Sequence, residues 1–483
     1  MPNLTSFSEF AGIFKESWEN KIVETFAGDA PIMADAQFEG RDVVGGKFHR
    51  PTRLTLSGGQ SFAAASVAGT NITPGIGSSY AYVGARSGII LDAQITGMQI
   101  HGRDQITYEA LSRSMQNVNA EGPDAKKAVI AGTKALLDGL LAATVKKTEA
   151  LFIHGGMGLG TIEACSEVVA RTTTNQYEST DGYAIDVRIS DATWADAIWM
   201  TFEGHTFDFF TPTSGLPAGA KINTAANSLL SGTNQKGLVL THINPSTLLT
   251  GLTGSSSRVL RFFHTSGTAG GSGTGIIGGA TYALMSAAVA CFESAGPSSE
   301  FYGLRYMAQN SGTLFSIDST LYSMYRGNAV DLNGAPVKLA EVVRYASRAI
   351  NAGAKGKKMR AVVPTEAFAQ FANDESILRR YSAESKSGKG GMHNLELYLP
   401  MGGTLEVLGH SQQVNGSIVI YPPEELVRVG SQDINFVTRG GGSNNEMVLD
   451  LSTSPTSEVR LFGMMAPVID TPRHCVAMSN FVY

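Results

Sequence analysis

The 483-residue sequence is poor in charge. Lysine and arginine number 37 and aspartate and glutamate 42, so 16% of the chain is charged and the formal net charge is −5, where an ordinary soluble protein carries about 25%. A balance this close to neutral and tilted to acid excludes a chain that binds nucleic acid through overall basicity. Three cysteines are too few for a disulfide scaffold or a multi-cysteine zinc module. No run of about 18 uncharged apolar residues occurs, so no membrane-spanning helix is expected. Met1-Pro2-Asn3-Leu4-Thr5-Ser6-Phe7 has neither the basic nor the apolar region of a signal peptide. The expectation is a chain made and kept in a cytoplasm unless it leaves as part of something larger. With 43% apolar residues the chain is too hydrophobic to be disordered, and its length allows two to four domains.

Catalytic constellations are missing as well. Gly273-Thr274-Gly275-Ile276-Ile277-Gly278 has the G-x-G-x-x-G spacing, between a strand-like run at Val259–Phe263 and a helix-capable run at Ala280–Cys291. A dinucleotide site needs its first glycine at the strand end, and here that strand ends about ten residues early in a glycine-rich loop. His154-Gly155-Gly156-Met157-Gly158-Leu159-Gly160 reads as a helix stop and linker before it reads as a phosphate nest. Gly388-Lys389-Gly390 lacks the serine or threonine of a P-loop. No two histidines stand three or four apart, and no G-x-S-x-G is present. Cys165, Cys291 and Cys475 are far apart and read as small buried hydrophobes. Glu424-Glu425 beside Pro422-Pro423 reads as a surface turn. No catalytic, cofactor-binding or metal-binding residue is assigned, and the chain is expected not to be an enzyme.

What is present is a sequence of contrasting parts. Phe7, Phe10, Ile13, Phe14, Trp18, Ile22 and Phe26 recur at three- and four-residue steps, an apolar arm that needs a partner surface. From Pro51 to Ile100 the only charges are Arg53, Arg86 and Asp92, and no lysine lies between Lys47 and Lys126. This stretch reads as a long hairpin, with turn residues at Asn71-Ile72-Thr73-Pro74-Gly75 and strand-like pieces at Leu54–Leu56, Tyr80–Val83 and Ile89–Leu91. A two-stranded ribbon has little core of its own and is marginal alone. Gly122-Pro123-Asp124 opens a helix that the Gly155-Gly156 pair ends. At 1.5 Å per residue its length is about 45 Å. Leu136, Leu137, Leu140, Leu141, Thr144 and Leu151 form its apolar stripe, and Lys126, Lys127, Lys146 and Lys147 fall largely off it, on a solvated face or one turned toward packaged polyanion. Residues 160–300 lean to β structure, 335–372 read as helix–strand–helix, and 395–421 and 448–482 are strand-rich. Low charge together with 55 glycines favours a chain whose surface is largely covered in an assembly over a solvated monomer.

In its order of parts the chain resembles the major capsid proteins of tailed bacteriophages, the Hong Kong 97 fold. Gly303-Leu304, then Ser311 to Asp318, then Tyr322-Ser323-Met324-Tyr325-Arg326-Gly327-Asn328 is similar to a stretch found before the axial domain in such proteins, with Tyr325 where their aromatic, often tryptophan, stands. The resemblance implies an α+β fold: an N-terminal arm at 1–47, an extended hairpin loop at 48–100, and a peripheral domain at 101–160 whose spine helix is 122–153. Peripheral strands and a β-rich insertion follow at 161–300, an axial domain at 301–430, and a return to the peripheral domain at 431–483. It implies self-assembly through hexamers and pentamers into an icosahedral shell around double-stranded DNA, in a virion assembled in a bacterial cytoplasm. The implied partners are a portal protein, a decoration or cement protein, and a separate scaffolding protein, since only about 47 residues precede the loop. Candidate intersubunit contacts are Phe7, Phe10, Phe14, Trp18, Ile72, Pro74, Tyr80 and Tyr82. Candidates for the lumen, as against solvent or a neighbouring subunit, are Lys15, Lys21, Lys126, Lys127, Lys146 and Lys147. With no lysine from 48 to 125, a lysine–asparagine cross-link from the loop is excluded. Two other readings remain: an encapsulin-like nanocompartment shell, and a β-rich phage tail or baseplate protein, against which the long helix argues.

Overall fold

The computed structural model describes residues 30–58, 87–107, 123–166, 169–171, 182–211, 238–265, 288–293, 300–354, 358–372, 395–399, 403–437, 448–450 and 456–482. In chain order these form α1 (Pro31–Asp35), β1 (Gln37–Gly40), β2 (Phe48–Arg53), β3 (Ile90–Ile95), β4 (Met98–Thr107) and the long α2 (Pro123–His154). Then come β5 (Gly160–Cys165), β6 (Val169–Arg171), β7 (Gly182–Ile189), α3 (Asp196–Thr201), β8 (Thr206–Phe210), β9 (Leu238–Ile243), β10 (Val259–Thr265) and β11 (Val289–Phe292). The chain continues through α4 (Leu304–Gln309), β12 (Thr313–Leu314), β13 (Ile317–Asp318), β14 (Asn328–Asp331), α5 (Leu339–Asn351), β15 (Lys358–Val363) and α6 (Thr365–Ala372). It ends with β16 (Leu395–Tyr398), β17 (Thr404–Gly409), β18 (Ser417–Tyr421), β19 (Leu426–Phe436), β20 (Val448–Asp450), β21 (Thr456–Ile469) and β22 (Val476–Ser479).

Three larger sheets carry this α+β fold. β1, β19, β21 and β20 form one, with β4 also on β21; α2 packs beside it, where Gly102 of β4 approaches Leu140 and Thr144. The region expected to be β-leaning folds as a seven-stranded sheet, β10-β9-β8-β11-β5-β7-β6. Its interior holds a lock: the Arg261 guanidinium makes two bonds to Asp186, at 2.7 and 2.9 Å, and both side chains are buried. Asp186 also accepts from the Leu249 amide at 2.8 Å, so neither buried charge is left uncompensated. The run expected to be helix-capable up to Cys291 ends instead in β11, whose four residues are all buried. Flanked by β8 and β5, this segment is covered as a central strand, and tertiary pairing overrides its local helix preference.

The third sheet, β14-β22-β18-β15-β17-β16, lies between two apolar cores. Met359, Ala361, Val363, Ile418, Ile420, Val476 and Met478 point to one core, with α5 and α6. The alternating neighbours Val362, Val419, Tyr421, Cys475 and Ala477 point to the other. That is the period-2 geometry of a strand buried on both sides. α5 contributes Leu339, Val342, Ala346, Ala349 and Ile350 from one face, at the spacing of an amphipathic helix.

The last turn of α2 is buried all round: Ala150, Leu151, Phe152 and Ile153 are each at most 7% exposed. The chain stops where expected. The Gly303 amide donates to the Gly155 carbonyl at 2.9 Å, and Phe152 meets Phe301 edge-to-face at 5.4 Å. A Cβ on Gly303 would lie 2.7 Å from both the Gly155 nitrogen and the Leu151 oxygen, so glycine is required by close approach. Two sequence readings are corrected. Glu425, expected in a surface turn, is buried and bonded to His474 Nδ1 at 2.7 Å, which gives the buried carboxyl a hydrogen-bond partner. Leu141, expected in the apolar stripe, is 37% exposed, whereas Ala150 to Ile153 farther along the helix are enclosed.

Glycine replacements on this helix and its partner have opposite expected signs. Gly303→Ala is expected to destabilise the unassembled chain by about 1–3 kcal/mol through overpacking. Gly139→Ala, whose Cβ would meet nothing within 4 Å, is expected to stabilise it by roughly 0.5–1 kcal/mol. Urea denaturation of both variants reads the difference, and equal shifts would contradict the packing described.

Candidate assembly interface

Among the described residues β2 and β3 pair only with each other, in register from Phe48–Ile95 to Arg53–Ile90. The base of this ribbon is anchored: Phe48 and Ile95 are fully buried. The Gln94 amide donates to the Phe315 carbonyl at 2.9 Å, and Arg50 reaches Asp470 at 2.7 Å. The hairpin β12–β13 that supports the ribbon turns through Phe315 and Ser316, at φ 52° and 66°. That is the backbone of a type I′ turn, whose usual occupants are asparagine and glycine. Burial of Phe315, close to Tyr302, offsets the strain of the unusual residue. The far end of the ribbon is different. Leu56 is 82% and Ile90 56% exposed, and Leu321, in the turn after β13, is 74% exposed. Leu54, next to the far end, is buried in the core, so the ribbon is held along its length while Leu56 and Ile90 stay exposed, and those apolar side chains can serve as an attachment for a neighbouring surface.

The segment 30–41 is held just as firmly. Glu149, near the C-terminal end of α2, is fully buried. Its carboxylate accepts the Ile32 amide at 2.9 Å and the Met33 amide at 2.8 Å. His410 completes the set at 3.2 Å. The Gln412 amide donates to His410 Nδ1, so the ring proton is on Nε2 and is donated to Glu149. Asp35 in turn meets Arg360 of β15 and accepts from the Tyr421 hydroxyl at 3.1 Å. Arg428 of β19 donates to the Ala36 carbonyl at 2.8 Å, and β1 runs parallel to β19.

Of the candidate contacts, Phe7, Phe10, Phe14, Trp18, Ile72, Pro74, Tyr80 and Tyr82 lie outside the described residues, as do Lys15, Lys21 and the Gly273–Gly278 motif. Lys126 and Lys127 fall in the first turns of α2. Lys146 is only 8% exposed. Lys147 has its ammonium 5.2 Å from the centre of the Phe292 ring, and burial lowers its pKa. These two lysines thus belong to the enclosed end of the helix within one chain, not to a solvated face. The anchors Glu149, Asp35, Arg360 and His410 carry no local motif; a buried acid on a long helix and an arginine inside a strand were the only signals available. Among the described residues no group of three or more His, Cys, Asp or Glu is placed to hold a metal ion, and no helix is long and apolar enough to cross a membrane.

Glu149→Gln puts a donor where three donors converge. It is expected to cost about 2–4 kcal/mol and to raise amide exchange at Ile32 and Met33; unchanged protection there would contradict the clamp. Burial, reinforced by the Arg305 charge, holds the pKa of His154 down at about 3. A histidine kept neutral in the fold contributes stability that is complete above its unfolded pKa near 6.5 and lost as pH falls toward 3. Unfolding midpoints are therefore expected to drop below pH 6.5, with a shallower drop in His154→Gln. An identical pH profile in the variant would rule out that assignment.

No protein-family model matches the sequence, and no curated protein matches it. Solved structures do. The chain is similar to the Cyanophage A-1(L) capsid asymmetric unit, at 9% identity and a TM-score of 0.46, with all of both chains covered. It is similar to the capsid of an empty GTA particle, at 7% identity and a TM-score of 0.42, covering 96% of this chain and 94% of that one. For the capsid of Myoviridae Phage XM1 the identity is 9% and the TM-score 0.38, with 95% of each chain covered.

Proposed function

We propose that the chain is the major capsid protein of a tailed bacteriophage, a structural and non-catalytic subunit that self-assembles into the icosahedral head around double-stranded DNA. One observation carries the reading. The β2–β3 ribbon is tied into the core at its base and exposes apolar side chains beyond it, an arrangement that becomes favourable when a neighbouring copy covers it. The low charge of the sequence agrees with extensive covered surface. Repetition of such contacts around five- and six-fold rings gives a stable shell by multivalency. The N-terminal arm and the loop, with Phe7, Phe10, Phe14, Trp18, Ile72, Pro74, Tyr80 and Tyr82, contact neighbouring copies in this reading. Lys15, Lys21, Lys126 and Lys127 face the lumen. A portal protein, a separate scaffolding protein and a decoration protein complete the particle.

Negative-stain electron microscopy of the expressed chain, alone and with scaffolding and portal candidates encoded beside it, tests this. Closed polyhedral shells, sheets or tubes of rings are expected; a monodisperse monomer or dimer in every condition would sink the proposal. Because residues 48 to 125 contain no lysine, particles are expected to run as a single monomer band on denaturing gels. A covalent ladder would show that another residue supplies a cross-link.

A further inference from the structure

One cavity of the described structure, of about 570 Å³, has Arg326, Arg348 and Arg473 in its wall together with Gln309, Asn310 and Asn328. No aspartate or glutamate lines it. Elsewhere arginines are matched to carboxylates: Arg50 to Asp470, Arg261 to Asp186, Arg360 to Glu406, Arg428 to Asp433. The three cavity arginines come from segments remote in sequence: the strand entry before β14, the last turn of α5, and the turn at Pro472–His474. Arg326 and Arg348 are exposed, and Arg348 lies over the Tyr345 ring at 4.8 Å, so the three cations line a solvent-open concavity with no carboxylate in its wall.

The frame that brings them together is rigid. The Asn328 side chain donates through Nδ2 to the carbonyls of Arg473 at 2.7 Å and Cys475 at 2.9 Å. Asn310 donates to the Tyr325 carbonyl at 2.9 Å, and the Gly327 amide donates back to the Asn310 carbonyl at 2.9 Å. A Cβ on Gly327 would fall 2.2 Å from the Ala308 oxygen, so this corner closes only with glycine. Arg348 also complements the C-terminal end of α5. That role does not extend to Arg326 or Arg473, which are on other segments.

The chemistry selects the ligand. Guanidinium groups donate and never accept, so the occupant is an acceptor and an anion. A carboxylate offers two oxygens and one charge to three cations. A phosphate offers three or more oxygens and, as a monoester, a charge of about −1.5 to −2. No aromatic side chain lines the space, so nothing there stacks a base and recognition stops at the phosphate. We propose that this cavity is a phosphate-binding site, taking the phosphate of a small free anion or of a nucleic-acid backbone. The inference stands apart from the capsid reading, because it concerns the unassembled chain.

The test is titration of the full chain with pyrophosphate by calorimetry against chloride at matched ionic strength, and with a labelled DNA duplex by anisotropy. Arg326→Gln and the double variant Arg326→Gln/Arg473→Gln are compared with Arg344→Gln, which is on α5 outside the cavity wall. Binding is expected to weaken about tenfold or more in the double variant and less than about twofold in Arg344→Gln. Saturable pyrophosphate binding without duplex binding identifies a free anion. Duplex binding whose salt slope falls by about one per arginine removed identifies the backbone. Arg326 is exposed, so its single replacement keeps the fold if the double variant does not. Absence of both bindings in the wild type, or undiminished binding in folded Arg326→Gln, overturns the proposal. If neither anion binds but the variants lose assembly, the cavity takes a carboxylate of a neighbouring copy and the phosphate assignment falls.

Discussion

Three parts of the chain that are far apart in sequence meet on the carboxylate of Glu149. The segment that follows the arm brings its amides, the loop after β17 brings His410, and the long helix brings the acid itself. A buried carboxylate without partners is among the costliest groups a fold can contain, so these three elements are placed together or not at all. Asp35 continues the same logic two residues beyond Met33, tying the segment to Arg360 and Tyr421 on the six-stranded sheet. The segment at 30–41 is therefore a strap across the helix, the six-stranded sheet and β19.

The six-stranded sheet is the wall on which this strap lies. Residues of β15, β18 and β22 alternate between two apolar cores, interrupted on β15 by Arg360, which is paired with Glu406 and Asp35. A strand with two covered faces has little freedom to slip register, since a one-residue shift would exchange the two cores. The seven-stranded sheet solves the corresponding problem differently, with the Asp186–Arg261 pair locked among its strands.

Against this rigid frame, the ribbon β2–β3 stands out as the element that the chain does not finish by itself. Its base is buried and bonded, while Leu56 and Ile90 face outward. Rigid anchoring near an apolar projection lowers the ordering cost of association. That combination is what the proposed role as a shell subunit requires, and the low charge of the sequence agrees with it.

Much of the frame was legible in the residues. Pro123 and the Gly155-Gly156 pair mark the ends of the long helix within a residue or two, because start and stop signals are local. The strand at 90–95, the helix–strand–helix at 339–372, and the strands at 238–243 and 259–265 follow from local periodicity in the same way, whereas the strand-like piece read at Leu54–Leu56 lies just past β2. The sequence alone determined these elements, the absence of any recognisable catalytic motif and the low-charge character of the surface. It did not determine where charges would be buried. Lys146, Lys147 and Glu425 have the spacing of solvated groups and are enclosed instead, and Glu149, Asp35 and His410 belong to no motif. Whether a charged residue sits in water or among partners depends on segments hundreds of residues away. That juxtaposition arises only when the helix, the strap and the sheet close together, and so do the cavity of three arginines and the ribbon's anchored base.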